Sequence, residues 1–88
     1  MMNETVLVEN KVGLHSRPAS LLIHAAKKYQ SKITLQKDDK SVDVKSLIAL
    51  LKLRVKMGDS VTITAEGADE NEAIGELVGL IRSKFGEE

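Results

Sequence analysis

The spacing of apolar residues along this chain switches between every second position and roughly every 3.6 positions, and that switching leaves few folds open. In SVTITAEG, Val61, Ile63 and Ala65 alternate with Thr62, Thr64 and Glu66, a strand with one apolar face and one polar face. TVLVEN sets Val6 and Val8 two apart and reads as a second strand, although Leu7 between them weakens the alternation. KITLQKDDKSVDVK reads as a hairpin, with Ile33 and Leu35 facing in, then Val42 and Val44, around a polar KDDK turn.

Helical spacing fills the intervals. SRPASLLIHAAKKYQ places Ala19, Leu22, Ile23 and Ala26 on one stripe with Tyr29 close to it. KSLIALLKL is a short apolar segment of one or two turns, opened by Ser46 as a helix cap and ended before the turn at Gly58 and Asp59. ADENEAIGELVGLIRSKFGEE begins with Asp69 three residues before Glu72, the spacing of a capping box. It continues with Ala73, Ile74, Leu77, Leu80 and Ile81 on one face, predicting a long C-terminal helix despite Gly75 and Gly79.

The order is strand, helix, strand, strand, helix, strand, helix. Strands that are polar on one face leave the three helices to cover the other, which predicts a two-layer α+β sandwich. The 88 residues suit one domain spanning 1–88, and no linker, repeat or low-complexity tract divides them. With no cysteine there is no disulfide framework or thiolate metal site, and His15 and His24 alone do not make a histidine-rich one, so no metal is expected. No signal-like or membrane-spanning run is present, which makes a cytoplasmic location the expectation and argues against membrane insertion. Thirteen basic residues balance thirteen acidic ones, and a lone tyrosine and a lone phenylalanine offer no stacking platform. A direct nucleic-acid partner is therefore not expected.

The stretch GLHSRPAS, residues 13 to 20, carries the chemistry. Gly13 suits the positive φ of a tight turn after the first strand, and Pro18 is tolerated only in the first turn of a helix, so His15 falls just outside a helix N-terminus. Such an end carries unpaired N–H groups and about half a positive charge, and it attracts anions. Imidazole is a nucleophile near neutral pH, and the phosphoramidate that it forms is reactive enough to be passed on. Arg17 supplies planar N–H donors for phosphate oxygens. The same pattern also fits a histidine in a polar surface loop beside an unrelated arginine, and the motif by itself does not decide. Leu47, Ile48, Leu50 and Leu51 cover more of a short helix than one core stripe requires, and Leu21 falls opposite the stripe of the first helix. Apolar surface is thus expected to remain exposed, either as a partner-docking patch or as the rim of a small core.

Together these residues resemble a known family. VGLHSRPAS resembles the active-site signature of the histidine-containing phosphocarrier HPr of the bacterial phosphoenolpyruvate-dependent sugar phosphotransferase system, and VDVKSLIALL resembles that family's regulatory-site signature. The resemblance extends through VTITAEGADENEAI and spans nearly the whole chain. It implies an open-faced β-sandwich: a four-stranded antiparallel sheet in order 1-4-2-3 with three helices on one face. It further implies that His15 accepts a phosphoryl group on Nδ1 from phosphorylated enzyme I and donates it to enzyme IIA domains. Arg17 and the backbone N–H groups of Ser16 and Arg17 would hold that group, with no cofactor on the carrier. By the same resemblance, Ser46 matches a serine that HPr kinase/phosphorylase phosphorylates in many Gram-positive relatives, creating a corepressor for a catabolite-control regulator. The family retains serine here even where no kinase operates, so an ordinary helix cap is the alternative.

The resemblance also assigns Ser20, Leu21, His24 and Lys27 on the first helix, with Leu47, Ile48 and Leu51 on the second, to a small, transient partner-docking face of a monomer. His24, on the exposed side, reads as a rim residue rather than a second phosphorylation site. Where many sugar-type carriers have a small residue followed by LG, this chain reads Lys52, Leu53, Arg54, which adds bulk and positive charge near that face. The run SLIALL is similar to the nitrogen-related branch of the family, which serves a regulatory relay. Relatives specialised as regulators replace the active histidine, and His15 is present here. An independent hydrolase or kinase is disfavoured, since there is no glycine-rich phosphate loop and no clustered carboxylates. The expectation is an intermediate in phosphoryl transfer rather than a free-standing enzyme.

Overall fold

The computed structural model describes residues 1–86. Its elements run β1 (Met2–Leu7), α1 (Ser16–Ala26), β2 (Lys32–Lys37), β3 (Lys40–Asp43), α2 (Leu47–Lys52), β4 (Ser60–Glu66) and α3 (Glu70–Arg82), with a 3₁₀ turn over Lys84–Gly86. The four strands form one antiparallel sheet in the order β1-β4-β2-β3. Because β1 and β2 both run antiparallel to β4, they are parallel to each other and leave a gap one strand wide that β4 fills last. The alternation in β4 sets which side chains meet the helices. Val61 and Ile63 lie opposite Val6 and Leu35 on the helix-covered face, and Thr62 and Thr64 lie opposite Thr5 and Thr34 on the open face. This is the open-faced α+β sandwich.

The core lies between sheet and helices, where Val6, Ile33, Leu35, Val61, Ile63 and Ala65 meet Ala19, Leu22, Leu50, Ala73, Ile74 and Leu77, all buried. Leu7 is 46% exposed, so the residue that interrupts the alternation in β1 does so by pointing away from the core. The apolar faces of α1 and α3 differ in detail from the sequence expectation. In α1, Pro18 and Ala25 join Ala19, Leu22 and Ala26 in the core while Ile23 is only partly covered. In α3, Val78 is buried and Leu80 is partly exposed, because the face turned to the sheet is centred nearer Ile74 and Val78.

The capping box expected at Asp69 and Glu72 does not form: Asp69 is the N-cap of α3, but its side chain makes no capping bond. Its carboxylate instead accepts hydrogen bonds from Gln30 N at 2.8 Å, Ser31 N at 3.0 Å and Ser31 Oγ, tying the start of β2 to α3. Glu70 takes over locally, accepting from Gly67 N at 3.1 Å. A tertiary partner with three donors outcompetes a single local one. Gly67 makes this approach possible, since a Cβ there would lie 2.8 Å from Ser31 Cα. Two turns further along the same side of α3, Glu76 accepts from Lys28 Nζ and from Tyr29 Oη at 2.5 Å, joining α3 to the end of α1. Phe85, at φ +57, folds back into the core after α3; Glu87 and Glu88, which the sequence reading ran into the helix, lie outside the described residues.

Candidate functional site

The loop between β1 and α1 is built backward from one glycine. Gly13 sits at φ +64, and a Cβ on it would lie 2.4 Å from the Val55 carbonyl oxygen and 2.8 Å from Lys56 Cα. Only glycine meets both demands. Buried Asn10 secures the turn by donating from Nδ2 to Gly13 O at 2.6 Å while Gly13 N donates to Asn10 O at 3.1 Å. Leu14, buried next in line, donates its N–H to Val55 O at 3.0 Å.

His15 follows as the N-cap of α1, in extended backbone at φ −94 and ψ −168, with its carbonyl accepting from Ala19 N at 3.0 Å. Its half-buried side chain makes no capping bond to the helix. Ser16 and Arg17 are the first two helical residues and both are exposed. Pro18 is third, contributes no N–H and is buried under the helix end. The end of α1 therefore presents the N–H groups of Ser16 and Arg17 beside the imidazole, at the positive end of the helix dipole. His15, Ser16 and Arg17 thus lie together at the N-terminal end of α1, His15 half-buried and Ser16 and Arg17 exposed.

Ser46 is the N-cap of α2, its Oγ accepting from Ala49 N at 3.3 Å. Ser20, His24, Lys27 and Leu47 line one shallow groove of about 350 Å³ between α1 and α2, together with Ile23 and Lys45. Ile48 and Leu51 line a second depression with Lys40, Lys52 and Arg54. Leu21 is 40% exposed on α1 and borders neither hollow. Of the five apolar residues in α2 only Leu50 is buried; Ala49 is half-buried, and Leu47, Ile48 and Leu51 are 39%, 68% and 37% exposed. The excess of leucine and isoleucine in that helix is thus surface.

The sequence reading missed three features. Net charge of zero concealed a segregation: no Asp or Glu occurs between residues 10 and 37 or between 44 and 58, so α1 and α2 carry only basic charge, whereas α3 holds Glu70, Glu72 and Glu76. Blockwise counting of charge would have found it. Asn10, three residues before Gly13, was a turn signal left unread. Lys37 and Asp59, which meet at 3.2 Å beneath the loop, carry no local signal, being 22 residues apart. Hydrogen bonds from Lys56 N and Lys37 hold the Asp59 carboxyl below its ordinary range. Among the described residues no group of three or more His, Cys, Asp or Glu is placed to hold a metal ion, and no helix is long and apolar enough to cross a membrane.

An imidazole at the N-cap of α1, followed by exposed Ser16 and Arg17, stands on an open-faced sandwich. Comparison with known proteins gives this arrangement its family. The family model described as the PTS HPr component phosphorylation site matches residues 2–83. The chain is 43% identical over 83 residues to phosphocarrier protein HPr of Borreliella burgdorferi, covering 94% of this chain and 96% of that one. HPr-C-His of Thermoanaerobacter tengcongensis, a crystal structure, superposes with a TM-score of 0.96 at 49% identity, covering 100% of this chain and 99% of that one. Crh of Bacillus subtilis, solved as a dimer with a swapped domain, is 38% identical, with a TM-score of 0.77 and coverage of 96% and 97%. The chain belongs to the HPr family, the phosphocarriers of the phosphotransferase system.

Proposed function

We propose that this chain carries phosphoryl groups on His15 Nδ1, taking them from phosphorylated enzyme I and passing them to enzyme IIA domains of a sugar phosphotransferase system in the cytoplasm. The observation that carries the reading is the position of His15 as the N-cap of α1, followed directly by Ser16 and Arg17 at the N-terminal end of the helix. The Nδ1 lone pair attacks phosphorus as the donor's N–P bond breaks, Nε2 retains its hydrogen, and the donor imidazole leaves with the electron pair of the broken bond. The N–H groups of Ser16 and Arg17 and the Arg17 guanidinium then face the three phosphoryl oxygens. An open corner suits this role, since the group must be handed on to a second protein, and a carrier of this kind needs no cofactor and no pocket of its own.

Ser20, Leu21, His24, Lys27, Leu47, Ile48 and Leu51 form the docking face in this reading. Exposed apolar groups beside Lys27, Lys40, Lys45, Lys52 and Arg54 fit partners with an apolar patch rimmed by carboxylates. The chain acts as one domain over 1–88 and as a monomer, since its core closes within a single copy. A swapped dimer, as in the Crh structure, is the alternative that sedimentation distinguishes. The added charge of Lys52 and Arg54 and the SLIALL run support the nitrogen-related branch as the runner-up within the family.

A second reading rests on Ser46. Its Oγ lies at the rim of the docking face as the N-cap of α2, where a phosphate is tolerated by the helix yet sets negative charge beside Leu47 and Ile48. HPr kinase/phosphorylase would be the modifying enzyme and a catabolite-control regulator the recipient. The deciding experiment is intact mass and phosphorus NMR after incubation with enzyme I and phosphoenolpyruvate, then separately with HPr kinase and ATP. One acid-labile phosphate, lost in His15→Ala, is expected from the first reaction. Failure of the wild type to take it up defeats the carrier reading, and acid-stable phosphate only at Ser46 assigns the chain to regulation.

A further inference from the structure

Lys37 closes β2, and its side chain is only 20% exposed, the stem covered and the ammonium aimed across the end of α2. The three Nζ hydrogens have three oxygens in reach: Arg54 O at 2.9 Å, Asp59 Oδ2 at 3.2 Å and Leu53 O at 3.4 Å. Leu53 is the C-cap of α2, so two of these oxygens are carbonyls at the negative end of that helix. Arg54 is held at φ +55, a conformation that L residues disfavour, and the bond to its carbonyl fixes it there.

Asp59 carries the clamp onward. Its Oδ2 also accepts from Lys56 N at 2.8 Å, and its N–H donates to Lys56 O at 3.0 Å, closing the turn over 56–59. That turn and its approach hold the loop that presents His15. Val8 N donates to Asp59 O at 2.9 Å, Gly58 N to Val8 O at 2.8 Å and Leu14 N to Val55 O at 3.0 Å, and Gly13 rests against Val55 O.

We propose that Lys37 is a positioning residue for His15: by gripping both the entry (Leu53, Arg54) and the exit (Asp59) of segment 53–59, it fixes the platform on which the Gly13–Leu14 turn is laid. This rests on the carrier reading of His15. An ordinary surface ion pair would hold two side chains and contribute little. Lys37 differs because two of its three contacts are to the main chain of the segment that carries the loop. The link nearest the imidazole is the hydrogen bond from Leu14 N to Val55 O, next in sequence to His15.

The test compares wild type, Lys37→Met, which keeps the stem and loses the donors, and Lys37→Arg, which restores donors and charge. Amide hydrogen exchange is followed by NMR at Leu14 and, as a control for global opening, at Val61 and Ile63 in β4. The phosphohistidine formed with enzyme I and phosphoenolpyruvate is then timed for spontaneous hydrolysis. Lys37→Met is expected to speed Leu14 exchange about tenfold with the β4 amides within about twofold of wild type, and Lys37→Arg to recover most of the difference. Hydrolysis of the phosphohistidine in Lys37→Met is expected to change by about threefold or more in either direction, since its oxygens meet displaced donors. Leu14 exchange within twofold of wild type, exchange rising in step with β4, or unchanged hydrolysis would each overturn the proposal. A wild type that takes no phosphoryl group defeats the carrier reading instead, while Leu14 exchange still reports whether Lys37 holds the loop.

Discussion

At the scale of single residues, Gly13 and Tyr29 give the sharpest expectations. Gly13 combines a positive φ with backbone in contact where a side chain would go, so Gly13→Ala must both strain its own torsions and push Val55 away. A loss of about 1–3 kcal/mol is expected in urea denaturation, with amide shifts concentrated on Leu14, His15 and Val55. Tyr29 is the chain's single tyrosine and there is no tryptophan, so ultraviolet titration reads it alone. The hydrogen bond it donates to Glu76, followed by burial and the Glu76 charge, pushes its pKa up to about 12. Folding thus favours the neutral phenol, and the stability this confers is complete below the ordinary tyrosine value and is lost as pH rises toward 12. Glu76→Gln is expected to return the midpoint most of the way toward 10, and an unchanged midpoint would show that the phenol does not meet Glu76 in solution.

At the scale of elements, α2 poses the question of what holds a six-residue helix in place. Too short to persist alone, it is held by one cap and one anchor. Ser46 Oγ accepts from Ala49 N, and Leu50 is its single fully buried side chain. Removing the cap by Ser46→Ala is expected to cost about 0.5–2 kcal/mol. Removing the anchor by Leu50→Ala is expected to cost about 2–5 kcal/mol. Chemical denaturation of the two variants checks the order; a cap that outweighs the anchor would mean that α2 is held from its end rather than from the core. The same element shows what sequence patterning can and cannot reveal. The surplus of apolar residues in KSLIALLKL correctly signalled exposed surface, because a six-residue helix has only one face for the core. The Asp69–Glu72 spacing failed as a cap because the competing donors came from Gln30 and Ser31, about 40 positions earlier.

At the scale of the whole molecule, carboxylates act as ties between distant segments. Asp69 joins the start of β2 to α3, Glu76 joins α1 to α3, Asp59 joins β2 to the turn under the His15 loop, and Glu70 meets the amino terminus of Met1 at 3.1 Å. Donated hydrogen bonds hold all four below their ordinary carboxylate values: chiefly Ser31 for Asp69, Lys28 for Glu76, Lys56 N for Asp59 and Gly67 N for Glu70. With folded values below unfolded ones, the unfolded chain binds more protons in acid. Stability is therefore expected to be full above about pH 5 and to fall as pH drops through the carboxylate range. Urea midpoints measured from pH 7 to pH 2.5 check this, and Asp69→Asn is expected to flatten the acid limb while lowering the neutral plateau.

The sequence by itself determined the two periods, hence the order of strands and helices, the apolar face of each, the glycine-led turn before His15 and the serine that caps α2. These are local properties, set by which residues lie within a few positions of one another, and local spacing is what a sequence displays. Only the tertiary structure decided which far-separated polar groups would meet: Asp69 with Ser31, Glu76 with Tyr29, Lys37 with Asp59 and the end of α2. It also brought Lys27 of α1's C-terminal end and Lys45 before α2 to one groove. Such partners are chosen by where the closed core leaves donors and acceptors facing each other. That outcome depends on the packing of every element at once, which no window of sequence contains.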